Sequence, residues 1–306
     1  MYLNQVEAFV NIVKYRSFSR AARKLFLSQP TISAHIKSLE TELGVQLLVR
    51  TTKDVLLSDA GTVFYEYALE LLHLHDVAAM TMKNYSKNIS GDLTIAASAI
   101  SAQYILPDMM AETRNTHPGI RYKIRQMNSL SVMKTIEDFE AELGIAGLSC
   151  PAAKTRLSFE PFMEDRLVLI TPNTTPFRQM DGVFPTSRLL HYPFILRESG
   201  SSLRSASEAF FNSLGMESTD LKDITEMDST ESIRQAVRNR LGLSFISEKA
   251  ASDYARFGFI LTFVIDSRYL SRSLYLVRHK NRALTPAAEY FYHCLKKKHC
   301  PDFIVP

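Results

Sequence analysis

Leu3, Val6, Phe9, Val10 and Val13 recur at three- and four-residue steps among polar neighbours, which predicts a first helix with one buried stripe. Ser19 stands where an N-cap oxygen would meet the free amides of a second helix over 20–26, with Ala21, Ala22 and Leu25 facing inward. Small alanines allow a close helix crossing. Ser28 is placed to cap a third helix with Pro30 in its first turn, where a missing amide hydrogen does no harm. Ile32, Ile36, Leu39 and Leu43 form its expected inner face, and Gly44 is a natural stop. Residues 46–57 then read as two short extended segments around the polar turn Thr51-Thr52-Lys53-Asp54, a wing.

A long helix is expected over 59–85, with Phe64, Tyr67, Leu71, Leu74, Ala78 and Tyr85 spaced at sevens split into threes and fours. Such a seam wants a partner helix, which suggests a dimerising linker; a core helix of the next domain is the other reading. From Gly91 the pattern alternates between strand and helix. Strands are expected at 93–97, 120–125 and 143–146, with helices at 102–114 and 132–139 between them. A second half follows, with strands at 167–171, 194–196 and 243–246 and helices at 202–214 and 229–238. A strand at 274–277 and a helix opened by Thr285-Pro286 return the chain to the first half, as in two-lobed binding proteins whose hinge is crossed twice. The fold class is therefore α/β with an all-α N-terminal winged helix-turn-helix and a two-lobed, periplasmic-binding-protein-like second part.

Composition narrows the function classes. With 46% hydrophobic and 22% charged residues the chain lies in the globular range, so disorder is not its default. No apolar run approaches the roughly 18–20 residues of a bilayer crossing, and the first ten residues lack a cationic segment followed by an apolar one. A cytoplasmic protein without a membrane partner is expected. Residues 1–60 hold eight Lys/Arg against five acids, an excess of +3, while the whole chain carries +4, so the remaining 246 residues carry only +1. A basic N-terminal module suggests a polyanionic partner. Cys150, Cys294 and Cys300 are too few and scattered for a disulfide framework or a zinc site, leaving ordinary thiols or a redox-sensing pair. The Lys296-Lys297-Lys298 run reads as a solvated helix end favoured by the helix dipole. There is no GxxxxGK loop, no GxSxG elbow and no HExxH pair, so an enzyme on the α/β half finds no support, and no metal site is expected.

The run over 18–61 closely resembles the DNA-binding module of LysR-type transcriptional regulators. The resemblance rests on Ala21-Ala22, Ser28-Gln29-Pro30, Ser33, Ile36, Leu39-Glu40, Leu43-Gly44, Leu47, Arg50 and Leu57-Ser58-Asp59-Ala60-Gly61; weaker similarity continues to the C-terminus. It implies a winged helix-turn-helix over 1–58, a dimerising linker helix over 59–88 and an effector-binding domain over 91–306, with lobe I at 91–163 and 268–306 and lobe II at 164–267. It further implies double-stranded DNA as partner, a dyad-symmetric operator, a dimer of dimers and possible contact with RNA polymerase. No cofactor is expected beyond a small-molecule effector. With Ile32, Ile36 and Leu39 inward, Thr31, Ser33, Ala34, His35 and Lys37 lie outside the stripe and can face a major groove. Ser28, Gln29 and Pro30 open that face. Gln29 can pair with adenine, Thr31 and Ser33 with bases or phosphate, and Lys37 and Arg50 with phosphates, while His35 is more a phosphate or solvent neighbour than a base reader. The family often carries arginine after Ser33; here Ala34 leaves a methyl that could touch a thymine.

Three loops resemble the places where the family binds effectors between its lobes. Ser98, Ala99 and Ser101 follow the first strand and open a helix, and Asn128 and Ser129 follow the second in the same way, so hydroxyls and free amides could hold an anion. Local capping is the alternative for Ser98 and Ser101. The loop from Arg197 to Arg204, with Ser199, Gly200, Ser201 and Ser202, suits a carboxylate or oxyanion; its alternative is an N-cap with an interlobe salt bridge to Glu198. Asp228 would complete the rim, and would disfavour an anion if it pointed inward. Within the family, the 98–104 stretch and the 197–204 loop look somewhat like regulators of sulfur or selenium assimilation, consistent with sulfate, acetylserine or another carboxylate as effector.

Overall fold

The computed structural model describes residues 1–50, 55–83, 89–148, 155–180, 182–217 and 220–299. The chain divides into two compact units, 1–86 with 281–283, and 87–280 with 284–306.

The first unit runs α1 (Leu3–Tyr15), α2 (Phe18–Lys24), α3 (Gln29–Leu43), β1 (Leu48–Arg50), β2 (Val55–Leu57) and α4 (Asp59–Lys83). Its core is the stripe of α1, with Val6, Phe9 and Ile12, closed by Ala21, Ile32, Ile36, Leu39 and Leu47. The cap of α2 is Ser17 rather than Ser19: Ser17 is extended and its Oγ accepts from the Arg20 amide at 3.3 Å, which leaves Ser19 inside the helix. Leu43, at the last turn of α3, is exposed instead of inward, because the chain turns away at Gly44, whose φ of 70° is the left-handed conformation glycine tolerates. Half-buried beside that turn, one Glu40 carboxylate oxygen accepts from the amides of Leu47 (2.7 Å) and Leu48 (3.1 Å), fixing the entry to the wing. β1 and β2 pair antiparallel, Leu48 opposite Leu57 and Arg50 opposite Val55. The turn at 51–54 lies outside the described residues. On α4 the expected seam divides. Phe64 packs on Phe9 with ring centroids 5.3 Å apart, while Tyr67, Leu71, Leu74 and Ala78 are exposed; Tyr85 lies outside the described residues.

The second unit contains β3 (Gly91–Ala97), α5 (Ala99–Tyr104), α6 (Leu106–Thr116), β4 (Ile120–Gln126), α7 (Ser129–Glu137), β5 (Leu143–Leu148) and β6 (Leu157–Pro172). It continues with β7 (Pro193–Arg197), α8 (Ser202–Ser213), β8 (Lys222–Met227), α9 (Thr230–Arg238), β9 (Ser244–Ser247), α10 (Glu248–Arg256), β10 (Ile260–Phe263), β11 (Ser271–His279) and α11 (Pro286–His299). β3 is parallel to β4 and β5, and β11 lies antiparallel between β5 and β6. β6 pairs with β11 up to Arg166, then with β9 and β10 from Leu167 onward. One 16-residue strand thus leaves one group of strands and enters another, where the sequence pattern marks only its apolar end at 167–171. β7 and β8 form a separate parallel pair. The helix expected over 102–114 is two helices: Ile105 ends one, and Pro107, lacking an amide hydrogen, sits in the first turn of the next. α7 begins at Ser129, three residues earlier than the apolar spacing indicates, because Asn128 caps it through the Ser131 amide at 2.9 Å. The terminal helix is pinned by buried Glu142, whose carboxylate accepts from the Thr285 amide and hydroxyl, each at 3.1 Å. Among the described residues no helix is long and apolar enough to cross a membrane.

Gly61 supplies a test of the first unit. A Cβ there would lie 1.9 Å from the Leu47 carbonyl oxygen, which is backbone and cannot yield cheaply. Gly61→Ala should lower unfolding stability by about 2 kcal/mol or more, read as a fall in the urea midpoint at unchanged slope.

Candidate functional site

The first candidate site is the outer face of α3. Ser28 Oγ accepts from the Thr31 amide at 3.2 Å and lies 2.7 Å from the Thr31 hydroxyl, so the cap and Thr31 share a hydrogen-bond pair at the helix start. Ser19 Oγ donates to Gln29 Oε1 at 3.0 Å, which orients the Gln29 amide from α2. Gln29, Pro30, Ala34 and Lys37 are exposed, Thr31 and Ser33 half-buried. His35 is half-buried, and its Nδ1 is enclosed without a partner among the described residues, so that edge of the ring faces protein rather than solvent. Arg50 stands on β1, with its side chain outside the described residues. Arg20, Arg23 and Lys24 on α2, not singled out by the motif, add three exposed cations to the module.

The second site is a cleft in the other unit, lined by Ser98, Ala99, Asn128, Ser129, Arg197, Ser201 and Ser202 together with Gln103, Tyr104, Thr230, Ser247 and Arg272. α5, α7, α8, α9 and α10 all begin at this cleft, and part of their first-turn amides is already bonded: Leu130 donates to the Gly200 carbonyl, Ser131 to Asn128 Oδ1 and Ser232 to Ser229 Oγ. The side chains of Ser98, Ser201 and Ser247 make no cap bond to their own helices. Ser98 Oγ is 3.2 Å from Ser101 Oγ, and Ser101 is fully buried behind it. About 20 Å³ is left for water centres, room for one or two waters. Ser199 and Asp228 are exposed and do not line the cleft, although the Ser199 carbonyl accepts from Asn128 Nδ2 at 3.3 Å.

Both cleft arginines are buried, and both are compensated. Arg197 donates through Nε and Nη2 to the Glu198 carboxylate at 2.7 and 2.9 Å, and through Nη1 to Thr230 Oγ1 at 3.2 Å. The pairing with Glu198 weighed from the sequence is therefore present, and it joins neighbours in one loop. Arg272 donates through Nε and Nη2 to Asp165 Oδ2 at 3.0 and 2.8 Å, while Ser247 Oγ donates to Asp165 Oδ1 at 2.5 Å. With each guanidinium matched by a carboxylate, neither arginine leaves an uncompensated charge in the cleft. Behind it, Arg234 Nη1 donates to Tyr104 Oη at 3.0 Å, and the hydrogen bond from Tyr254 holds the Glu231 carboxyl below its ordinary pKa.

Sequence reasoning missed Asp165, Arg272, Ser247 and Thr230. Ser247 and Thr230 stand at helix starts and carry the hydroxyl signal used for Ser98, so attention to every strand-to-helix junction would have found them. Asp165 and Arg272 lie 107 positions apart, and only the antiparallel register of β6 and β11, which sets them opposite each other, joins them. Of the cysteines, Cys294 is a half-buried thiol, and Cys150 and Cys300 lie outside the described residues. Lys296, half-buried, bonds Glu160 and exposed Lys298 bonds Glu112, so the helix end expected to be solvated is in part tied to the protein. Among the described residues no cluster of His, Cys, Asp or Glu could hold a metal.

Comparison with known proteins agrees across both units. The family described as bacterial regulatory helix-turn-helix protein, lysR family, matches residues 3–62, and the LysR substrate binding domain matches residues 86–299. The HTH-type transcriptional regulator YeiE of Escherichia coli K12, itself uncharacterized, is 30% identical over 289 residues, covering 94% of this chain and 95% of its own. Full-length OxyR from Pseudomonas aeruginosa, solved as a single-residue variant, shares the fold with a TM-score of 0.71 at 20% identity, covering 97% of this chain and 94% of that one. The regulatory domain of Synechocystis PCC6803 CcmR, solved in complex with 2-PG, aligns with a TM-score of 0.60 at 23% identity over 70% of this chain and 99% of its own.

The buried pair gives the test of the cleft's framework. Asp165→Ala leaves Arg272 buried without a counter-charge and should destabilise the second unit by roughly 3–5 kcal/mol, whereas removing both charges with Asp165→Leu and Arg272→Met together should be much milder. Urea unfolding of the three proteins measures the difference.

Proposed function

The chain belongs to the LysR family of bacterial transcriptional regulators, with that family's DNA-binding and effector-binding domains, and from this membership we propose that it reads a dyad-symmetric operator and answers to a small anionic effector. Its relatives regulate transcription and are not enzymes. The observation that carries the effector reading is the convergence of five helix starts and buried serine hydroxyls on one cleft. The proposed lobes are 91–163 with 268–306 and 164–267, and the proposed contacts are Ser98, Ala99, Asn128, Ser129, Arg197, Ser201 and Ser202, with Ser101, fully buried and absent from the lining, supporting Ser98 from behind. Ser199 and Asp228 belong to the outer rim. Sulfate, acetylserine and other small carboxylates fit this donor-rich lining, in keeping with the similarity to sulfur and selenium regulators. No further cofactor is called for, and a cytoplasmic setting suits the function.

On the DNA side, Gln29 stands at the start of α3 with its amide oriented by Ser19, suited to the edge of an adenine, and Ala34 offers its methyl to a thymine. Lys37 and Arg50 would contact phosphates. Tyr67, Leu71 and Leu74 leave an apolar stripe on α4 for a second copy, and dimers of such dimers would present pairs of reading heads to successive major-groove faces. The cleft as it stands leaves room for one or two waters in its enclosed part, and a ligand that binds one lobe arrangement better than another shifts the population toward it. Allosteric control follows as a population shift that changes the angle between reading heads, and with it the bend of the DNA or the contact with RNA polymerase.

Three measurements test this. Footprinting should reveal a short dyad-symmetric site, and uniform affinity on unrelated DNA would overturn the operator reading. In a thermal-shift panel of sulfate, phosphate, acetate and O-acetylserine at least one anion should raise the melting temperature; if none does, the effector is not a small anion. Leu71→Asp with Leu74→Asp should halve the mass seen by light scattering.

A further inference from the structure

α9 and α10 close in the same way. The amides of Arg240 and Leu241 return to the carbonyls of Val237 and Ala236 at 2.9 and 3.0 Å, and those of Gly258 and Phe259 return to Ala255 and Tyr254 at 2.9 Å each. Each closure passes through one left-handed residue. At Gly258, with a φ of 70°, glycine meets no steric cost; at Arg240, with a φ of 68°, an exposed long side chain takes the same place.

The two helix ends meet in a run of alternating cations and rings. Buried Arg234 lies over the Tyr254 ring at 4.5 Å, and Tyr254 meets Phe259 edge-on at 5.7 Å. Arg238 lies over Phe259 at 4.2 Å, Phe259 meets Phe257 at 6.1 Å, and Arg256 lies over Phe257 at 5.4 Å. The inner end is closed, because Glu231 bonds both Arg234 and Tyr254. The outer end is open: Phe257 is 64% and Phe259 39% exposed. Arg238, Arg240 and Arg256 are exposed too, and among the described residues none of the three makes an ion pair. Asp253, the exposed carboxylate of that last turn, bonds none of them.

Helix closure explains part of this. A cation in a last turn is favoured by the helix dipole, and Phe259 against Tyr254 is the apolar contact such closures ordinarily make. Neither calls for Phe257, the more exposed ring, or for three guanidinium groups around it without a carboxylate. Aromatic rings and arginines are the residues that carry binding energy where proteins meet. A second copy of this face would set like charges against each other, and the phosphates of a duplex offer nothing to Phe257 and Phe259. Charge and apolarity together fit an acidic protein surface that presents an aliphatic or aromatic side chain.

We propose that this face, centred on Phe257 and flanked by Arg238, Arg240 and Arg256, docks RNA polymerase through such a surface. This rests on the reading of the chain as a regulator that contacts polymerase at its operator.

The test immobilises the full chain on a promoter-free DNA fragment carrying the footprinted operator, and follows binding of purified RNA polymerase holoenzyme from the same organism by biolayer interferometry. Phe257→Ala and Arg256→Glu should each weaken polymerase about tenfold, with the footprint, the melting temperature and the mass by light scattering unchanged. Arg256→Lys, which keeps the charge, should retain most of the binding. Arg238→Glu should match Arg256→Glu; Arg238 covers Phe259, so if that variant does not fold, Arg240→Glu takes its place. Polymerase that binds the variants as tightly as the unaltered chain would overturn the assignment. A shifted footprint or a changed mass would put DNA or a second copy on this face, and would overturn it equally. No recruitment of polymerase by the unaltered chain would instead overturn the polymerase reading, and this assignment with it.

Discussion

Strand β6 belongs to two sets of partners, and the ion pair between Asp165 and Arg272 sits two residues before Leu167, where the second set begins. A buried charge must be matched where it stands, so the pair dictates the register of β6 against β11. A slip of one residue would turn Asp165 to the opposite face and strand the guanidinium. From that fixed point the starts of α8 and α10 take their places, since Ser202 and Ser247 are both tied to the same pair. The cleft is thus assembled around a structural constraint rather than around loops free to drift.

The two arginines of the cleft illustrate how charge and polarity separate in a buried site. A count of cations would give a doubly positive pocket, yet Glu198 and Asp165 cancel both. What remains is polarity without net charge: serine and threonine hydroxyls at the starts of helices.

Legibility follows the range of the interactions. Caps and turns act over three or four residues, so Ser28, Pro30 and Gly44 can be placed from spacing alone, and the reading module with them. Ser19 and Ser17 are both plausible caps two positions apart, and only the extended backbone at Ser17 separates them. The helix starts at 98, 128 and 201 are visible because strand, hydroxyl and helix are contiguous there. The Asp165 pair and the crossing of β6 depend on strands brought together from distant segments, and nothing local marks them. The seam on α4 is legible as apolar, but spacing does not say that Phe64 turns inward to Phe9 while Leu71 and Leu74 do not.

The insertion of β11 between β5 and β6 also orders events in time. β5 ends at residue 148 and its neighbour begins at 271, so the sheet of the second unit cannot close until nearly the whole chain has left the ribosome. The core of the first unit is complete by residue 72. At ordinary rates of synthesis the interval is on the order of tens of seconds. During it a nascent chain carries the packed core of its helix-turn-helix and an unclosed second unit, so a chain interrupted in that window would hold the reading face without the cleft.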